Sequence, residues 1–320
     1  MLKPAYRIQI RSDAYEPGPQ TPVISVKVNL DMDVPANSFE ILLGAGSASA
    51  QIAEGDEVAI QLGYEGSLED VVAGTVDQVE PSLAEVRVTG LDAAAKLLSF
   101  HTDQLYERQR AGGIVADLAQ KAGVRTGEIA DGLRFAMYAV DHRKNAYEHM
   151  AELAEKCGFD VYLTPASQLV FKAYTRAEPH VLEYGREILH AELQAETPRV
   201  EEVVVHGESP ASFKGADTSH WLTKRAVEGV VGRGARLVIQ EPTVRDTDAA
   251  EQVARARMDA LARRVSGTVT IVGRADIHLG DTIEVQGMTH SKLNGVFQVR
   301  SVEHYLSKAA GFTTVIDWRA

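Results

Sequence analysis

The sequence predicts a mainly β fold with an α+β insertion, in which two related β-barrel domains flank a small α/β unit. Three observations predict this class. Apolar and polar residues alternate with a period of two near both ends of the chain, as in half-buried strands. The middle of the chain changes to helical periodicity, and one short motif occurs in each end region. A chain of 320 residues has room for about two domains, or three small ones.

The first 95 residues consist of alternating runs separated by turns that contain Gly, Pro and Asp. The apolar positions of these runs are Val26, Val28 and Leu30, then Val58, Ile60 and Leu62, and finally Val86 and Val88. Several short strands at this spacing are typical of a barrel or a sandwich. We therefore predict a first barrel domain over residues 1–95.

Residues 96–175 are predicted to form the inserted α/β unit. Apolar residues recur at helical spacing from 114 to 122, and Gly123 follows where a helix C-cap is expected. A second helix is expected to begin at Asn145, where Glu148 completes a capping box. A hairpin should follow this helix.

Residues 176–320 are predicted to form the second barrel domain, with one helix at about 248–265. Asp248 is the expected N-cap of this helix. Strands are expected at 269–273, 281–288, 296–303 and 312–318.

A repeated motif indicates that the two end regions are related. Both contain Gly-Asp-x-(Val/Ile)-x-(Ile/Val)-Gln, and about twenty residues later both contain Val-x-x-Val-Glu. The motif residues are Gly55, Asp56, Val58, Ile60, Val76 and Val79 in the first copy, and Gly280, Asp281, Ile283, Val285, Val299 and Val302 in the second. Two matches in the same order and at nearly the same separation predict a duplication. Each Gly-Asp pair by itself is typical of a turn that enters a strand.

Charge and cysteine content exclude several classes of function. Acidic residues outnumber basic ones by 45 to 33, for a net charge of −12. A nucleic-acid-binding protein is expected to have the opposite balance, so we predict no stable nucleic-acid binding. The single cysteine, Cys157, permits neither an intrachain disulfide nor a thiolate metal cluster, and it indicates assembly in a reducing cytoplasm. Neither a membrane-spanning run nor a secretory signal is predicted.

The chain contains no recognisable catalytic constellation. It lacks a Gly-x-Ser-x-Gly elbow, a phosphate-binding loop and a His-Glu-x-x-His motif, and its ten histidines show no zinc spacing. The acidic pairs Asp31 with Asp33 and Glu201 with Glu202 leave acid–base chemistry open, although edge charges that deter strand pairing are the simpler interpretation. We therefore predict no catalytic residue, no metal site and no cofactor.

Three segments of the last domain carry a resemblance to a known family. They contain the Gly-Asp strand within 275–287, a Val-x-x-Val-x-His strand within 293–304, and Gly-Phe-Thr-Thr at 311–314. This order resembles the end of the late-control gene D proteins of contractile phages. The helix that ends in Leu-Ala-Glu-x-x-Gly-Phe at 153–159, and the hairpin after it, also resemble that family.

The resemblance implies a central baseplate hub, similar to the hub of T-even phages and to the N-terminal region of VgrG proteins. Such hubs form a homotrimeric ring between the hexameric tail tube and the spike. Each chain then carries two tube-like barrels, so that three chains present six similar surfaces to the tube. The implied partners are further copies of the chain, the tail tube protein hexamer, the spike protein and other baseplate proteins.

The resemblance also implies where the protein is located and what passes through its channel. The protein is expected in the baseplate of a virion or injection particle, assembled in the bacterial cytoplasm, with DNA or an effector passing transiently through its channel. Two alternatives remain open: a tail-associated cell-wall hydrolase that uses one of the carboxylate pairs, and a carbohydrate-binding β module.

Overall fold

The computed structural model describes residues 3–195, 199–208, 226–263 and 265–320. The predicted mainly β class is confirmed, since most of the described elements are strands. The strands of the N-terminal region are β1 (Pro4–Ile10), β2 (Asp13–Tyr15), β3 (Val23–Asp31), β4 (Ser38–Gly44), β5 (Glu57–Tyr64), β6 (Ser67–Pro81) and β7 (Glu85–Asp92).

The middle region mixes helices with short strands. Its elements are α1 (Ala94–Ser99), β8 (Gln104–Glu107), α2 (Ala111–Ala122), β9 (Arg125–Ile129), β10 (Met137–Val140), α3 (Ala146–Cys157), β11 (Asp160–Leu163) and β12 (Gln168–Lys172). The expected capping box is present, because Asn145 Oδ1 accepts a hydrogen bond from the Glu148 N–H and the Glu148 carboxylate accepts one from the Asn145 N–H.

The C-terminal region returns to strands around one helix. Its elements are β13 (His180–Glu183), β14 (Ile188–Ala195), β15 (Glu202–Gly207), β16 (Glu228–Gly232), β17 (Arg236–Glu241), α4 (Thr247–Ala262), β18 (Val265–Val272), β19 (Thr282–Gln286), β20 (Gly295–Ser307) and β21 (Gly311–Arg319).

One sheet of thirteen strands runs through both ends of the chain. Its strand order is β14-β18-β21-β20-β3-β4-β7-β6-β5-β1-β2, and β19 with β13 joins it beside β20. The two end regions meet where β3 pairs antiparallel with β20. The side chains on one face of these strands are buried in a single apolar cluster, which is the pattern that period-two alternation produces.

A second apolar cluster holds the middle region, and it also includes α4. This helix packs on α3, β15 and β16. Gly229 of β16 permits the close approach, because a Cβ there would lie 2.2 Å from the Ala250 carbonyl carbon. The apolar stripe of α4 was visible in the sequence, but the strand against which it packs was not. The helix therefore shares a core with the middle region and not with the strands that follow it.

The N-cap predicted for α4 is corrected by the structure. Asp246, not Asp248, caps the helix, since its Oδ1 accepts a hydrogen bond from the Ala249 N–H at 2.8 Å. A capping side chain must reach a backbone N–H two or three residues later. Asp248 lies in the first turn instead.

Asp92 connects the sheet to the middle region. It is buried at the end of β7, where Oδ2 accepts a hydrogen bond from Asn37 Nδ2 at 2.7 Å and Oδ1 accepts one from the Ala94 N–H at 3.0 Å. Burial raises the pKa of Asp92 to about 6, although both hydrogen bonds oppose the rise. Ionising this carboxyl in the folded protein therefore costs stability.

We expect Asp92→Asn to remove one component of the pH dependence of folding. Because the folded pKa lies above the unfolded value, the contribution of Asp92 is fully present below about pH 4 and is lost as the pH rises through about 6. One pKa unit corresponds to about 1.4 kcal/mol, so the loss is on the order of 2–3 kcal/mol. Urea unfolding of the wild type and the variant at pH 4, 5, 6 and 7 measures it.

The new amide faces the Asn37 amide, so a loss that does not depend on pH is expected in addition. The diagnostic result is the difference in slope. Stability curves that run parallel from pH 4 to pH 7 would contradict the prediction.

Candidate functional site

The two Gly-Asp motifs lie in turns with the same backbone geometry. Gly55 has φ +88° and Gly280 has φ +82°, a conformation that glycine adopts without strain. The Gly55 N–H donates a hydrogen bond to the Val76 carbonyl at 2.9 Å, and the Gly280 N–H donates one to the Val299 carbonyl at 3.1 Å. Each turn is thus tied to the valine that begins the later part of its own motif.

The two aspartates close these turns in the same way. Asp56 Oδ2 accepts a hydrogen bond from the Ala53 N–H at 2.9 Å, and Asp281 Oδ2 accepts one from the His278 N–H at 2.8 Å. The backbone carbonyls of both aspartates accept a hydrogen bond at 2.9 Å from the valine of the later motif. The same four groups are therefore engaged in both copies.

The apolar residues of the motifs point into the core, with one exception. Val79 is only half-buried, whereas its counterpart Val302 has no exposed surface. The other buried motif residues are Val58, Ile60, Val76, Ile283, Val285 and Val299. The difference arises because β3 lies beside Val302 in the sheet, while no described strand lies beside Val79 on the corresponding side.

A unit of five strands around each motif recurs in the same order. The first unit is β3-β4-β7-β6-β5 and the second is β14-β18-β21-β20-β19, with antiparallel pairing throughout. The registers also correspond. Thr75 of β6 pairs with Glu57 of β5, and Gln298 of β20 pairs with Thr282 of β19. A slip of one residue would turn every side chain to the other face, so matching registers make the paired positions around the two motifs equivalent.

Both units also have β-bulges at matching places. One bulge lies between the first two strands of each unit, and another lies at Asp77 in β6 and at Arg300 in β20. The strand beyond the unit differs, since β1 pairs antiparallel with β5 whereas β13 pairs parallel with β19.

The residue at the second bulge distinguishes the copies. Asp77 is exposed, whereas the side chain of Arg300 is only 11% exposed and lies between Asp160 of β11, which binds Nη1, and Asp33, which binds Nη2 at 2.7 Å. Gln298 Nε2 donates a further hydrogen bond to Asp160 at 2.7 Å. A charge-assisted cluster therefore fastens the middle region to the second unit alone.

A second cluster surrounds Asp281. Its carboxylate lies 3.2 Å from His180 Nε2 and 3.7 Å from His278 Nδ1. Burial favours the neutral acid, but the hydrogen bonds from the two histidines outweigh it and hold the pKa of Asp281 well below its ordinary value. The hydrogen bond to Asp281 in turn raises the pKa of His278. In the first copy, Asp56 faces Arg11 instead, with Nε at 3.4 Å.

The first candidate carboxylate pair is engaged in ion pairing. Burial raises the pKa of Asp31, whose Oδ1 accepts a hydrogen bond from the Asp33 N–H at 2.7 Å. Asp33 binds Arg300 and also Arg319, whose Nη2 lies at 3.4 Å. These contacts make Asp33 the shared ion-pair partner of two arginines.

The second candidate pair joins strands. Glu202 accepts hydrogen bonds from Nε and Nη2 of Arg236, both at 3.1 Å, and this contact lowers the pKa of Glu202. Glu201 Oε2 accepts a hydrogen bond from the Ala235 N–H at 3.3 Å. A general acid needs a pKa raised towards the working pH. Glu202 is shifted in the opposite direction, so this pair serves the pairing of β15 with β17.

Cys157 behaves as a packed side chain. Its Sγ accepts a hydrogen bond from the Leu133 N–H at 3.4 Å, and burial raises the pKa of the thiol to about 11. Among the described residues, no three His, Cys, Asp or Glu side chains are grouped so that they could hold a metal ion. No helix in the described ranges is long and apolar enough to cross a membrane.

A comparison with family models places the chain. The model described as the Alg8 N-terminal domain matches residues 20–308. The chain belongs to this family. The description of the Alg8 N-terminal domain family names a domain and no reaction. No curated protein matches the chain.

Solved structures of phage tail proteins share the fold of this Alg8 N-terminal domain family member. The 43 kDa tail protein of prophage MuSo2 from Shewanella oneidensis is 16% identical, with a TM-score of 0.74 over 99% of this chain and 98% of that one. A tail protein from Neisseria meningitidis MC58 is 14% identical, with a TM-score of 0.76 over 99% and 97%. At these low sequence identities, the TM-scores show that the fold is shared.

A secretion-system protein shares the fold as well. The Escherichia coli c3393 protein, described as a component of the type VI secretion system, is 12% identical. Its TM-score is 0.64 over 97% of this chain and 76% of that one. The fold therefore occurs both in phage tails and in a secretion system.

We expect Gly280→Ala to destabilise the protein more than Gly55→Ala. Both changes place a side chain at positive φ, which costs roughly 1–2 kcal/mol. At Gly280 the new Cβ would also lie 2.6 Å from the Tyr162 hydroxyl, whereas nothing lies within 4 Å of a Cβ at Gly55. Urea unfolding of both variants measures the difference. Tyr162→Phe should restore part of the extra loss, and equal losses in the two glycine variants would contradict this explanation.

We expect Arg300→Ala to cost much more stability than Asp77→Ala at the equivalent bulge. Removing Arg300 leaves Asp160, whose side chain is 14% exposed, without its cation, and breaking a buried pair in this way costs about 3–5 kcal/mol. Asp77 is exposed, so its replacement should change stability by about 0.5 kcal/mol or less. Chemical unfolding of both variants compares the two. A loss below about 1 kcal/mol for Arg300→Ala would show that the cluster does not hold the regions together.

Proposed function

We propose that this protein is the structural baseplate hub of a contractile tail or injection system, a homotrimeric adaptor that joins the hexameric tail tube to the central spike. The observation that carries the proposal is the five-strand unit that occurs twice with matching registers. Two equivalent units in one chain allow three chains to meet a sixfold tube with six similar surfaces.

In this proposal each end region acts as a tube-like barrel domain, over residues 1–95 and 176–320, and residues 96–175 form the insertion between them. The likeness to two phage tail proteins and to a type VI secretion component supports the choice of particle. The late-control gene D motifs support the choice of hub within that particle. The ring closes through head-to-tail contacts between identical copies.

The same proposal accounts for the charge of the chain. In this proposal acidic side chains line the channel, so that DNA or an acidic effector passes without binding, and the net charge of −12 supports this arrangement. The partners are then the tail tube protein, the spike protein and other baseplate proteins. The protein would be assembled in the bacterial cytoplasm and would remain in the baseplate of the particle.

A structural role fits the candidate carboxylates better than hydrolysis does. Asp33 and Glu202 are each bound by arginine, and the pKa of Glu202 is lowered. No observation favours the cell-wall hydrolase or the carbohydrate-binding module over the hub. A variant such as Glu202→Gln that assembled normally but lost a peptidoglycan-hydrolysing activity would favour the enzyme.

We expect the protein to form a trimer of about 104 kDa from chains of 34.7 kDa, either alone or together with its tube or spike partner. Analytical ultracentrifugation over a range of concentrations measures the mass of the isolated protein. Electron microscopy of the assembled particle should show three copies in a ring beneath the tube. A chain that is monomeric in solution and also single in the particle would overturn the proposal.

A further inference from the structure

We infer that the outer edge of β14 pairs antiparallel with the β6–β7 hairpin of a second copy, in the same register as the pairing of β20 with β3 inside each chain. This inference rests on the proposed trimer and specifies how its subunits meet. It places residues 79–81 of one copy opposite residues 193–195 of the next. Junctions inside a chain and junctions between chains would then alternate around the ring.

The junction inside the chain provides the template. There β20 pairs with β3 over seven positions, from Ser301 with Asp31 to Ser307 with Ser25. The repeated unit makes β6 the counterpart of β20 and β14 the counterpart of β3. The bulges fix the correspondence, since Asp77 matches Arg300 in the longer strands and Ser25 matches His190 in the outer ones.

Neither edge has a strand paired to it in the part of the chain that the structure describes. β5 pairs with β6 only as far as Thr75, so the side of β6 that continues to Pro81 has no strand beside it. β14 pairs with β18 on one side, and its other side is the end of the sheet. Open edges carry unpaired N–H and C=O groups that favour pairing with another chain.

The template register brings apolar side chains together on one face. Its core-facing pairs inside the chain are Val302 with Leu30, His304 with Val28 and Leu306 with Val26. Because β6 ends at Pro81, the equivalent pairs between copies would be Val79 with Ala195 and Pro81 with Leu193. All four of these counterparts are apolar.

Exposure at these positions shows what the junction would bury. Pro81 is exposed and Val79 is half-buried, whereas their counterparts His304 and Val302 have no exposed surface. Leu193 is half-buried, whereas its counterpart Val28 has no exposed surface. Pairing with a second copy would cover these apolar side chains, which lie along two edges without a paired strand.

The other face of the same register pairs polar residues. Glu80 would lie opposite Gln194, as Glu303 lies opposite Asn29 in the template. A slip of one residue would place polar side chains against the apolar set, so the faces select this register.

Pro81 weakens the contact without preventing it. The Ser82 N–H donates a hydrogen bond to the Glu85 carbonyl at 2.7 Å, so Ser82 faces β7 and Pro81, by alternation, faces the open edge. Proline has no N–H, and the ladder would lack one donor there. Proline on an edge strand limits indiscriminate pairing, and this favours association within the ring, where neighbouring junctions support each other.

The first test is disulfide cross-linking in the assembled trimer. The double variant Glu80→Cys with Gln194→Cys places two thiols opposite each other across the junction, and oxidation should give a covalent trimer on a non-reducing gel. The double variant Glu80→Cys with Leu193→Cys is the matched control, because Leu193 points to the other face and should not cross-link. The wild type reports any contribution from Cys157.

The second test changes an exposed residue, so that the monomer still folds. Pro81→Asp should weaken self-association at least about tenfold in sedimentation experiments, because the junction would bury the new carboxylate against Leu193. Leu105→Asp is the control, since Leu105 is 52% exposed on β8, outside the junction, and its replacement should leave association unchanged.

The outcomes separate this inference from the proposed function. A trimer that does not cross-link at 80 and 194, or that tolerates Pro81→Asp, would overturn the junction and leave the hub intact. A protein that is monomeric in solution and single in the particle would overturn both. Equal cross-linking by the control pair would show a different register and would also overturn the inference.

Discussion

The pairing of β3 with β20 is the contact on which the rest of the structure depends. It joins strands that lie more than 260 residues apart in sequence into one continuous sheet. The main-chain groups of both strands are satisfied there, and the side chains beneath them are fully buried. Burial lowers the pKa of His304 to about 3, so this imidazole is neutral and packs as part of the core, with Nδ1 at 3.0 Å from Thr314 Oγ1.

The two copies of the five-strand unit have the same backbone and different surroundings. The second copy binds the middle region through Arg300 and Asp160, and it places His180 and His278 around Asp281. The first copy has none of these contacts in the described residues, and its counterpart position, Asp77, is exposed. A duplicated unit has thus been fastened to the insertion at one copy, while the edge of the other copy remains open.

Much of the local structure could be predicted from the sequence, because it depends on neighbours in the chain. The Gly-Asp turns, the helix that begins after Asn145 and the alternating faces of the strands each require only a few consecutive residues. No sequence motif marks β14 as the counterpart of β3, since these strands share alternation but no distinctive residues. Only their pairing and their matching bulges relate them. The N-cap predicted for α4 lies two residues after the observed one, because Asp246 and Asp248 are equally suitable cap residues and only backbone geometry distinguishes them.

The sequence by itself determined the mainly β class, the repeated motif and which side chains would be buried, since periodicity and turn chemistry are properties of short segments. The tertiary structure alone decided that both ends share one sheet, that α4 packs with the middle region, and that the edges of β6 and β14 remain open. These features depend on contacts between residues far apart in the chain. Many strands of similar alternation are equally good partners locally, and only the simultaneous packing of all of them selects the pairs that form.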